Sequence, residues 1–362
     1  MKLHGIHHIS SIVGHAQRNV DFYAGLLGMR LVKKTLNFDD SSTYHFYYGN
    51  ENGSTNLLTT FPWNDAESGQ IGGGQVGITS LAISPDSLDF WKQRLNDFKI
   101  EYHTEERFNV QRLAFEDMDG LLYELVASNE EPKSNWEFNG VDSNHAIKGI
   151  DSAYIHSRVP HATLSMLQDV FNYKIIDESF DTYLLAVDGG LGSRLELNKT
   201  TKDPSRQGVG TVHHIALGIS NGDEEAWLEK LIAAGYRPTE IKERKYFRSI
   251  YFREKGGILI ELATVGPGVL VDESEEELGK ELLIPPHFEA IKDEIVDTLM
   301  PIEVREVTEL IGYGYRDKYE FDLLRKKEKI KREILELKTK EDPTRTDLAK
   351  IEVLKKELLA VK

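Results

Sequence analysis

Three short stretches of this sequence carry the same pattern, in which a glycine is followed four positions later by Glu-Leu. They are Gly120 with Glu124-Leu125, Gly192 with Glu196-Leu197, and Gly257 with Glu261-Leu262. A glycine at this place is typical of a hairpin turn that requires a positive φ angle, and the residues after it predict the strand that leaves the turn. The equal spacing indicates repeated copies of one structural module.

A strand and a helix precede each of these turns, and a further copy begins near the N-terminus. The strand–helix start is clearest at His7 and at His213, where the helices that follow end in Gly28 and Gly235. A glycine just after a helix accepts the left-handed conformation that ends it. We therefore predict an α+β fold of four βαβββ modules, at about residues 4–60, 74–128, 148–200 and 210–264.

The sequence after residue 264 has a different character. Pro285-Pro286 leads into a short predicted helix, 287–299, and two charged amphipathic helices are predicted at 319–340 and 344–361. Their apolar positions follow helical spacing and are Phe321, Leu324, Ile330, Ile334, Leu337, Leu348, Ile351, Leu354, Leu358 and Val361. Asp342 and Pro343 would end one helix and begin the next. We expect a helical hairpin that packs on the body or on a second copy and carries no chemistry.

The composition narrows the classes of function. The chain has no cysteine, which excludes disulfides and thiolate ligands and fits a reducing cytoplasm. Its 60 acidic and 44 basic residues give a net charge of −16, which disfavours nucleic acid as a partner. No basic-then-apolar leader opens the chain, and no apolar run approaches the roughly 18 residues of a membrane helix. We expect a cytoplasmic protein that binds a small neutral or weakly acidic molecule.

Paired histidines open the first and last modules, as His7-His8 and His213-His214. Neighbouring strand residues point to opposite faces, so one histidine of each pair can face a cavity. The row that contains His213 is bulky and apolar, whereas His214 shares its face with small residues; the same alternation favours His8. On the closing strand Glu261 lies opposite the apolar row. Two imidazoles and one carboxylate are the ligand set of a mononuclear metal site with open positions.

The other modules lack this combination. No histidine opens the second or third module, so Glu124 and Glu196 are expected to be structural. The first module has His8, but Leu57 stands where its closing strand should carry the carboxylate. The predicted site therefore has three protein ligands, and no second carboxylate serves as a fourth. This leaves coordination positions for a chelating substrate and a small gas.

This arrangement resembles the vicinal oxygen chelate superfamily, which includes glyoxalases, bleomycin and fosfomycin resistance proteins and type I extradiol dioxygenases. The resemblance covers about residues 4–300. It implies two glyoxalase-like domains with cupped mixed β-sheets, at 1–140 and 145–268, followed by the helical extension 269–362. Within the superfamily the chain looks most like the ring-cleaving dioxygenases that act on hydroquinones, whose two histidine ligands come from the first and last modules.

The resemblance also implies roles for particular residues. The family's site residues fall, as metal ligands, on His8, His214 and Glu261 and, around the ligands, on His7, His213, Arg244, Tyr251 and Ser10. Tyr251 is the candidate hydrogen-bond donor or acid toward substrate, and Arg244 would offset developing negative charge. By themselves, Arg244 also fits a solvated charged run and Tyr251 also fits a packing aromatic.

The expected activity is that of a dioxygenase that uses Fe(II), with Mn(II) as the alternative, to open a hydroquinone or catechol ring with O₂. One rival is another metal enzyme of this fold, such as a glyoxalase-type isomerase, which generally has a second carboxylate ligand. A thiol transferase for an epoxide antibiotic is a related rival, although it commonly has one module pair per chain. The other rival is a metal-free protein that sequesters an aromatic compound. The ring substituents and the question of a homo-oligomer are left open.

Overall fold

A computed structural model of the chain describes residues 1–63, 66–311, 315–340 and 343–360. Within these ranges the four βαβββ modules are present, each as a strand, a helix and three further strands in chain order. The α+β fold expected from the repeated pattern is thereby confirmed. The short helix predicted at 287–299 is also present, and it consists of a 3₁₀ segment that continues into an α-helix.

The elements of the modules have the following bounds. The first comprises β1 (Leu3–Val13), α1 (Ala16–Val20) with a π-helical continuation (Asp21–Leu26), β2 (Arg30–Asn37), β3 (Asp40–Gly49) and β4 (Leu57–Pro62). The second comprises β5 (Gln75–Ile83), α2 (Leu88–Asp97), β6 (Tyr102–Arg107), β7 (Val110–Glu116) and β8 (Leu122–Ala127). The third comprises β9 (Gly149–His156), α3 (Pro160–Asp169), β10 (Lys174–Glu178), β11 (Thr182–Ala186) and β12 (Arg194–Asn198). The fourth comprises β13 (Thr211–Ile219), α4 (Glu224–Ala233), β14 (Lys242–Glu243), β15 (Arg248–Arg253) and β16 (Leu259–Thr264).

The segment after the modules contains β17 (Leu282–Leu283), α5 (Lys292–Thr298), α6 (Tyr315–Lys338) and α7 (Arg345–Ala360). Single-turn or short 3₁₀ segments occur at Pro85–Ser87, Val269–Val271, Pro286–Ile291 and Thr308–Leu310. None of the helices in the described ranges combines the length and the apolar composition that a bilayer crossing requires.

Strands of the first and fourth modules form a nine-stranded sheet in the order β14-β15-β16-β13-β1-β4-β3-β2-β17. The second and third modules form an eight-stranded sheet in the order β10-β11-β12-β9-β5-β8-β7-β6. At the centre of each sheet the opening strands of two modules pair antiparallel, β1 with β13 and β5 with β9. The two strands that carry paired histidines are therefore neighbours, although His8 and His214 are 206 residues apart in sequence.

Each sheet thus combines modules from both sides of the predicted boundary between 1–140 and 145–268. The chain divides into two compact units. The first comprises residues 1–95 and 101–307, and the second comprises residues 96–100 and 308–362. The division into two glyoxalase-like domains, 1–140 and 145–268, and an extension, 269–362, stays a prediction. What bears on function is that the nine-stranded sheet brings the two ends of the repeat together.

The C-terminal hairpin forms the greater part of the second unit. Its helices α6 and α7 have a small apolar core of Ile330, Ile334, Leu337, Ile351 and Leu354, with Leu358 partly buried against it. Leu348, which follows the same helical spacing in the sequence, is exposed. The side chains of Phe321 and Leu324, and the residues Asp342 and Val361, lie outside the part of the chain that the structure describes.

The carboxyl group of Asp117, directly after β7, is buried and contacts Tyr23 in the π-helical segment of the first module. Its Oδ2 accepts a hydrogen bond from the Tyr23 hydroxyl at 2.9 Å, and its Oδ1 accepts from the backbone N–H groups of Asp119 and Leu121. The Tyr23 hydroxyl also lies 2.7 Å from that of Tyr123. Burial, reinforced by the charge of Asp119, raises the pKa of Asp117 from 3.8 to about 7.

Asp117→Asn is expected to flatten the pH dependence of stability. Between pH 4 and 7 the folded protein holds a proton that the unfolded chain has released, so stability falls as pH rises through this window. The asparagine variant lacks this loss. From pH 5 to pH 8 its free energy of unfolding should therefore rise by about 3 kcal/mol relative to that of wild type. Urea unfolding at both pH values measures the difference. Curves that stay parallel would show that Asp117 is ionised throughout.

Candidate metal centre

Three buried side chains from the middle of the nine-stranded sheet meet at one point. His8 lies on β1, His214 on the neighbouring β13, and Glu261 on β16, which pairs in parallel with β13. The Nε2 atoms of the two histidines are 3.2 Å apart. Glu261 Oε2 lies 3.1 Å from His8 Nε2 and 2.8 Å from His214 Nε2. All three residues are buried, and the structure brings together the set that strand alternation had selected.

The other ring nitrogens of both histidines contact the neighbouring histidines of each pair. His7 Nδ1 lies 2.8 Å from His8 Nδ1, and His213 Nδ1 lies 2.8 Å from His214 Nδ1. Burial and the adjacent imidazole lower the pKa of His7 and of His213 to about 3, so these outer rings are neutral at ordinary pH. When His8 and His214 donate Nδ1–H to these outer rings, each presents a lone pair on Nε2. Hydrogen bonds of this kind commonly orient the histidines that bind metal ions.

The three converging atoms fit a divalent cation. The side chain of Glu261 is fully buried, and its Oε2 lies within 3.1 Å of the Nε2 atoms of both His8 and His214. Burial opposes charge on this carboxylate, but the adjacent imidazoles lower the pKa of Glu261 well below its usual range, so the group is ionised. An ionised carboxylate in such a place requires a partner. Adjacent ligand atoms at about 2.1 Å from one first-row divalent ion lie about 3 Å apart, which agrees with the observed separations.

The register corrects one alignment made from the sequence. In the fourth module Glu261 pairs with Ala216, which lies two residues after His214. In the first module the residue two positions after His8 is Ser10, and it pairs with Thr59. The counterpart of Glu261 is therefore Thr59 rather than Leu57. The Ser10 hydroxyl lies 2.6 Å from that of Thr59, and both are buried. Counting from the glycine between β3 and β4 had placed the equivalent position two residues too early, because this connection differs from the one between β15 and β16. The conclusion that the first module supplies no carboxylate is unaffected, since threonine is not one.

Tyr251 and Arg244 lie beside the three-residue cluster. Tyr251 on β15 is directly opposite Glu261 in the antiparallel register, and its ring centre is 5.6 Å from that of His214. Burial and the Glu261 charge raise the pKa of Tyr251 well above its ordinary value, so its hydroxyl keeps the proton. Arg244 follows β14, with its guanidinium carbon 5.7 Å from the Tyr251 ring centre and Nη2 3.0 Å from Asp39 Oδ2.

A cavity of about 440 Å³ opens onto this cluster, and His8, His213 and His214 form part of its wall. Arg244 and Tyr251 also line it, whereas His7 borders a separate cavity and Ser10 borders neither of them. Much of the remaining wall is aromatic and was not singled out from the sequence: Phe38, His45, Tyr47, Phe61, Trp63 and Phe247. The signal that could have identified part of it is the alternation in β3, where His45 and Tyr47 interrupt a row of core aromatics.

In the eight-stranded sheet, arginines occupy the place that corresponds to the histidine cluster. Glu124 and Glu196 pair with the opening strands of their modules and are fully buried. Arg112 contacts both carboxylates, with Nη1 2.8 Å from Glu124 and Nη2 2.9 Å from Glu196. Arg107 Nη2 lies 2.9 Å from Glu124, and its Nε also pairs with Glu196. These contacts fit the structural role expected for the two glutamates.

Comparison with known proteins places this geometry in a family. The model of the Glyoxalase/Bleomycin resistance protein/Dioxygenase superfamily matches residues 5–125 and 150–262. The chain is similar to "Putative ring-cleaving dioxygenase MhqO" of Bacillus subtilis, with 41% identity over 308 residues that cover 84% of this chain and 99% of that protein. It is also similar to "Chlorohydroquinone/hydroquinone 1,2-dioxygenase" of Sphingobium indicum, with 33% identity over 320 residues, 82% of this chain and 96% of that protein.

Solved structures agree with these matches. A crystal structure titled as a putative dioxygenase from Bacillus subtilis superposes with a TM-score of 0.83 at 41% identity, over 84% of this chain and 99% of that one. Glyoxalase I from Zea mays superposes with a TM-score of 0.55 at 14% identity, over 72% of this chain and 92% of that one, a likeness of fold alone. With both halves of the repeat matched and a relative covered over nearly its whole length, the chain belongs to the glyoxalase/bleomycin resistance protein/dioxygenase superfamily.

Proposed function

We propose that this protein is an Fe(II)-dependent dioxygenase that opens the ring of a hydroquinone-type diol with O₂. The observation that carries the proposal is the meeting of His8, His214 and Glu261, within 3.2 Å of one another, at a cavity with aromatic walls. Relatives named as ring-cleaving dioxygenases, one of them for chlorohydroquinone and hydroquinone, support the reaction class.

His8, His214 and Glu261 would hold the Fe(II), with His7 and His213 orienting the two imidazoles. When bound, Fe(II) supplies electron transfer to O₂ and Lewis acidity toward a substrate oxygen, which no side chain provides. Three ligands leave coordination positions for both reactants. Mn(II) fits the same ligand set and is the alternative metal.

The chain's own groups handle orientation and protons. The hydroxyl of Tyr251, kept protonated by burial, can donate to an oxygen of the substrate that lies beside His214. Arg244 places a positive charge near that hydroxyl and can offset negative charge that develops on the substrate. The aromatic residues Phe61, Trp63 and Phe247 would hold the ring and exclude water.

Tyr251→Phe is expected to lower kcat by about 100-fold or more, the range found when a positioned proton donor is removed. Bound iron should stay stoichiometric, because the hydroxyl is not among the proposed ligands. Oxygen uptake with hydroquinone and metal analysis of the same preparation measure the two quantities. An unchanged kcat would show that Tyr251 only packs in the wall, the role that its sequence context also allowed.

The proposed function is tested by an oxygen-electrode screen of protein loaded anaerobically with Fe(II). Hydroquinone, catechol and substituted hydroquinones are supplied in turn, and mass spectrometry examines each product. Uptake of one O₂ per ring, with a product heavier by both oxygen atoms, supports the proposal. No uptake with any diol contradicts it. Iron-free protein that still binds diphenols would favour the metal-free binding protein.

The glyoxalase-type alternative receives less support from this site. Its chemistry generally adds a second carboxylate ligand, and the register places Thr59, hydrogen-bonded to Ser10, at the corresponding position of the first module. Among the described residues, the set of His8, His214 and Glu261 is the one group of three metal-binding side chains close enough to share an ion.

A further inference from the structure

We infer that His45 binds the substrate hydroxyl that lies away from the metal centre, and that this contact makes the site select a 1,4-diol over a 1,2-diol. The inference rests on the proposed function, because it assumes that one substrate oxygen lies at His8, His214 and Glu261. It assigns a task to a residue outside the set that the sequence and the family resemblance indicate.

The position of His45 follows from strand alternation in β3. Tyr44, Phe46 and Tyr48 point into the core, where the Tyr48 hydroxyl donates to Asn19 on α1. His45 and Tyr47 therefore face the cavity on the other side.

Aromatic rings pack around His45 in the cavity wall. Its ring centre is 4.3 Å from that of Tyr47 and 4.2 Å from that of Phe61 on the neighbouring strand. The side chain is 7% exposed, so the ring is almost enclosed. The nitrogen atoms of a polar ring in this setting have few protein groups with which to form hydrogen bonds.

The Nε2 atom of His45 is buried and has no hydrogen-bond partner. Of the described residues that line this cavity, His45 is the one with a buried side-chain nitrogen or oxygen in this condition. Three other polar side chains of this wall are paired: Arg244 with Asp39, His213 with His214, and Asp40 with Ser42 and Thr43. A buried polar atom without a partner is costly and uncommon in native proteins, so a bound group is the natural explanation.

The chemistry of the imidazole suits a phenolic hydroxyl. Burial and the nearby imidazoles keep the pKa of His45 well below its usual range, so the ring is neutral at ordinary pH. A neutral ring nitrogen accepts a hydrogen bond from a hydroxyl in one tautomer and donates a hydrogen bond to the hydroxyl oxygen in the other. Either bond would satisfy Nε2 without a charge on the imidazole.

The placement of this nitrogen distinguishes diols by shape. In a 1,2-diol both oxygens lie at the same end of the ring, and both can reach the metal. In a 1,4-diol the second hydroxyl lies at the opposite end, where it needs a partner of its own once water is excluded. His45 lies on β3, which β4 separates from the strand that carries His8, so its Nε2 can bind the second hydroxyl of a 1,4-diol away from the ligand cluster. A 1,2-diol with both oxygens at the metal would leave this nitrogen without a partner. The geometry therefore points to the 1,4-diol.

The experiment compares ligand affinities with and without the imidazole. Hydroquinone, phenol and catechol are titrated calorimetrically, without oxygen, into Fe(II)-loaded wild type, His45→Phe, His45→Gln and Tyr47→Phe. Phenol retains the oxygen for the metal and lacks the distal hydroxyl. The phenylalanine variant retains a ring in the aromatic wall, the glutamine variant retains a hydrogen-bonding group, and Tyr47→Phe removes another hydroxyl from the same strand face.

Wild type is expected to bind hydroquinone about 10-fold more tightly than phenol, the effect of one neutral hydrogen bond. In His45→Phe this preference should vanish, with the phenol affinity unchanged, and the preference for hydroquinone over catechol should fall by the same factor. His45→Gln should retain part of it, and Tyr47→Phe should retain all of it. If His45→Phe does not fold, as thermal unfolding would reveal, His45→Leu provides the same comparison.

An equal loss of hydroquinone and phenol affinity in His45→Phe would overturn the inference, because it would show that the ring only shapes the wall. So would a hydroquinone preference that persists in this variant. In both cases wild type still consumes O₂ with hydroquinone, and the proposed function stands. Failure of wild type either to bind or to oxidise any diol overturns both, so the two failures are distinguishable.

Discussion

Replacing His214 with alanine is expected to abolish stoichiometric iron binding and turnover. The change removes one of three ligand atoms and leaves His8 and Glu261, which are 3.1 Å apart and buried. Loss of an outer hydrogen-bond partner already costs about 10- to 100-fold in metal affinity, and loss of a ligand should exceed the upper figure. Metal analysis after anaerobic loading and gel filtration measures iron, and an oxygen electrode measures turnover.

His4→Ala is the matched control for this variant. His4 lies on the same strand, β1, and its Nε2 is 3.0 Å from the Ser220 hydroxyl, in a separate part of the sheet. Its loss should leave iron stoichiometric. Retention of stoichiometric iron by His214→Ala would refute the ligand assignment, and with it the proposal that an ion lies between the three side chains.

Replacing Arg112 with methionine is expected to destabilise the protein by about 3–5 kcal/mol, the cost of leaving buried charges without their partner. Arg112 is 3% exposed, and both carboxylates that it contacts, Glu124 and Glu196, are fully buried. Arg107 alone would then face two carboxylates. Guanidinium chloride unfolding of the iron-free protein measures the loss separately from any effect of metal binding.

Arg248→Met provides the comparison at a more exposed site. Arg248 Nη1 lies 2.9 Å from Glu224 Oε1, a similar distance, but its side chain is 48% exposed. Because water screens such a pair, we expect a loss of about 1 kcal/mol or less. If Arg112→Met proves no more costly than Arg248→Met, the arginine cluster does not replace a metal ion as the stabilising charge of the eight-stranded sheet.

Local patterns in the sequence were sufficient to predict the strands and helices of the modules and the three candidate ligands, His8, His214 and Glu261. The Gly-x₃-Glu-Leu spacing identified the closing strands, and the paired histidines identified two opening strands. Strand alternation then selected His8 and His214, because a period of two decides which side chains share a face. The cytoplasmic location and the domain bounds 1–140 and 145–268 stay predictions.

Local sequence patterns did not predict which strands are hydrogen-bonded neighbours in the two sheets. Which modules share a sheet depends on hydrogen bonds between strands as distant as β1 and β13, and no local pattern encodes that pairing. The register between strands is non-local for the same reason, and the equivalence of Thr59 with Glu261 emerged only from it. The ion pair of Asp39 with Arg244 joins residues 205 positions apart and was equally hidden.

The sequence by itself determined that four βαβββ modules exist and that two of them carry histidines at equivalent positions, because turn chemistry and alternation are local properties. Only the tertiary structure decided the strand order of the two sheets, the place of the arginines in the eight-stranded sheet, and the position of an unpaired His45 nitrogen at the cavity wall. Each of these depends on which side chains are enclosed together, and enclosure is a property of the folded chain as a whole.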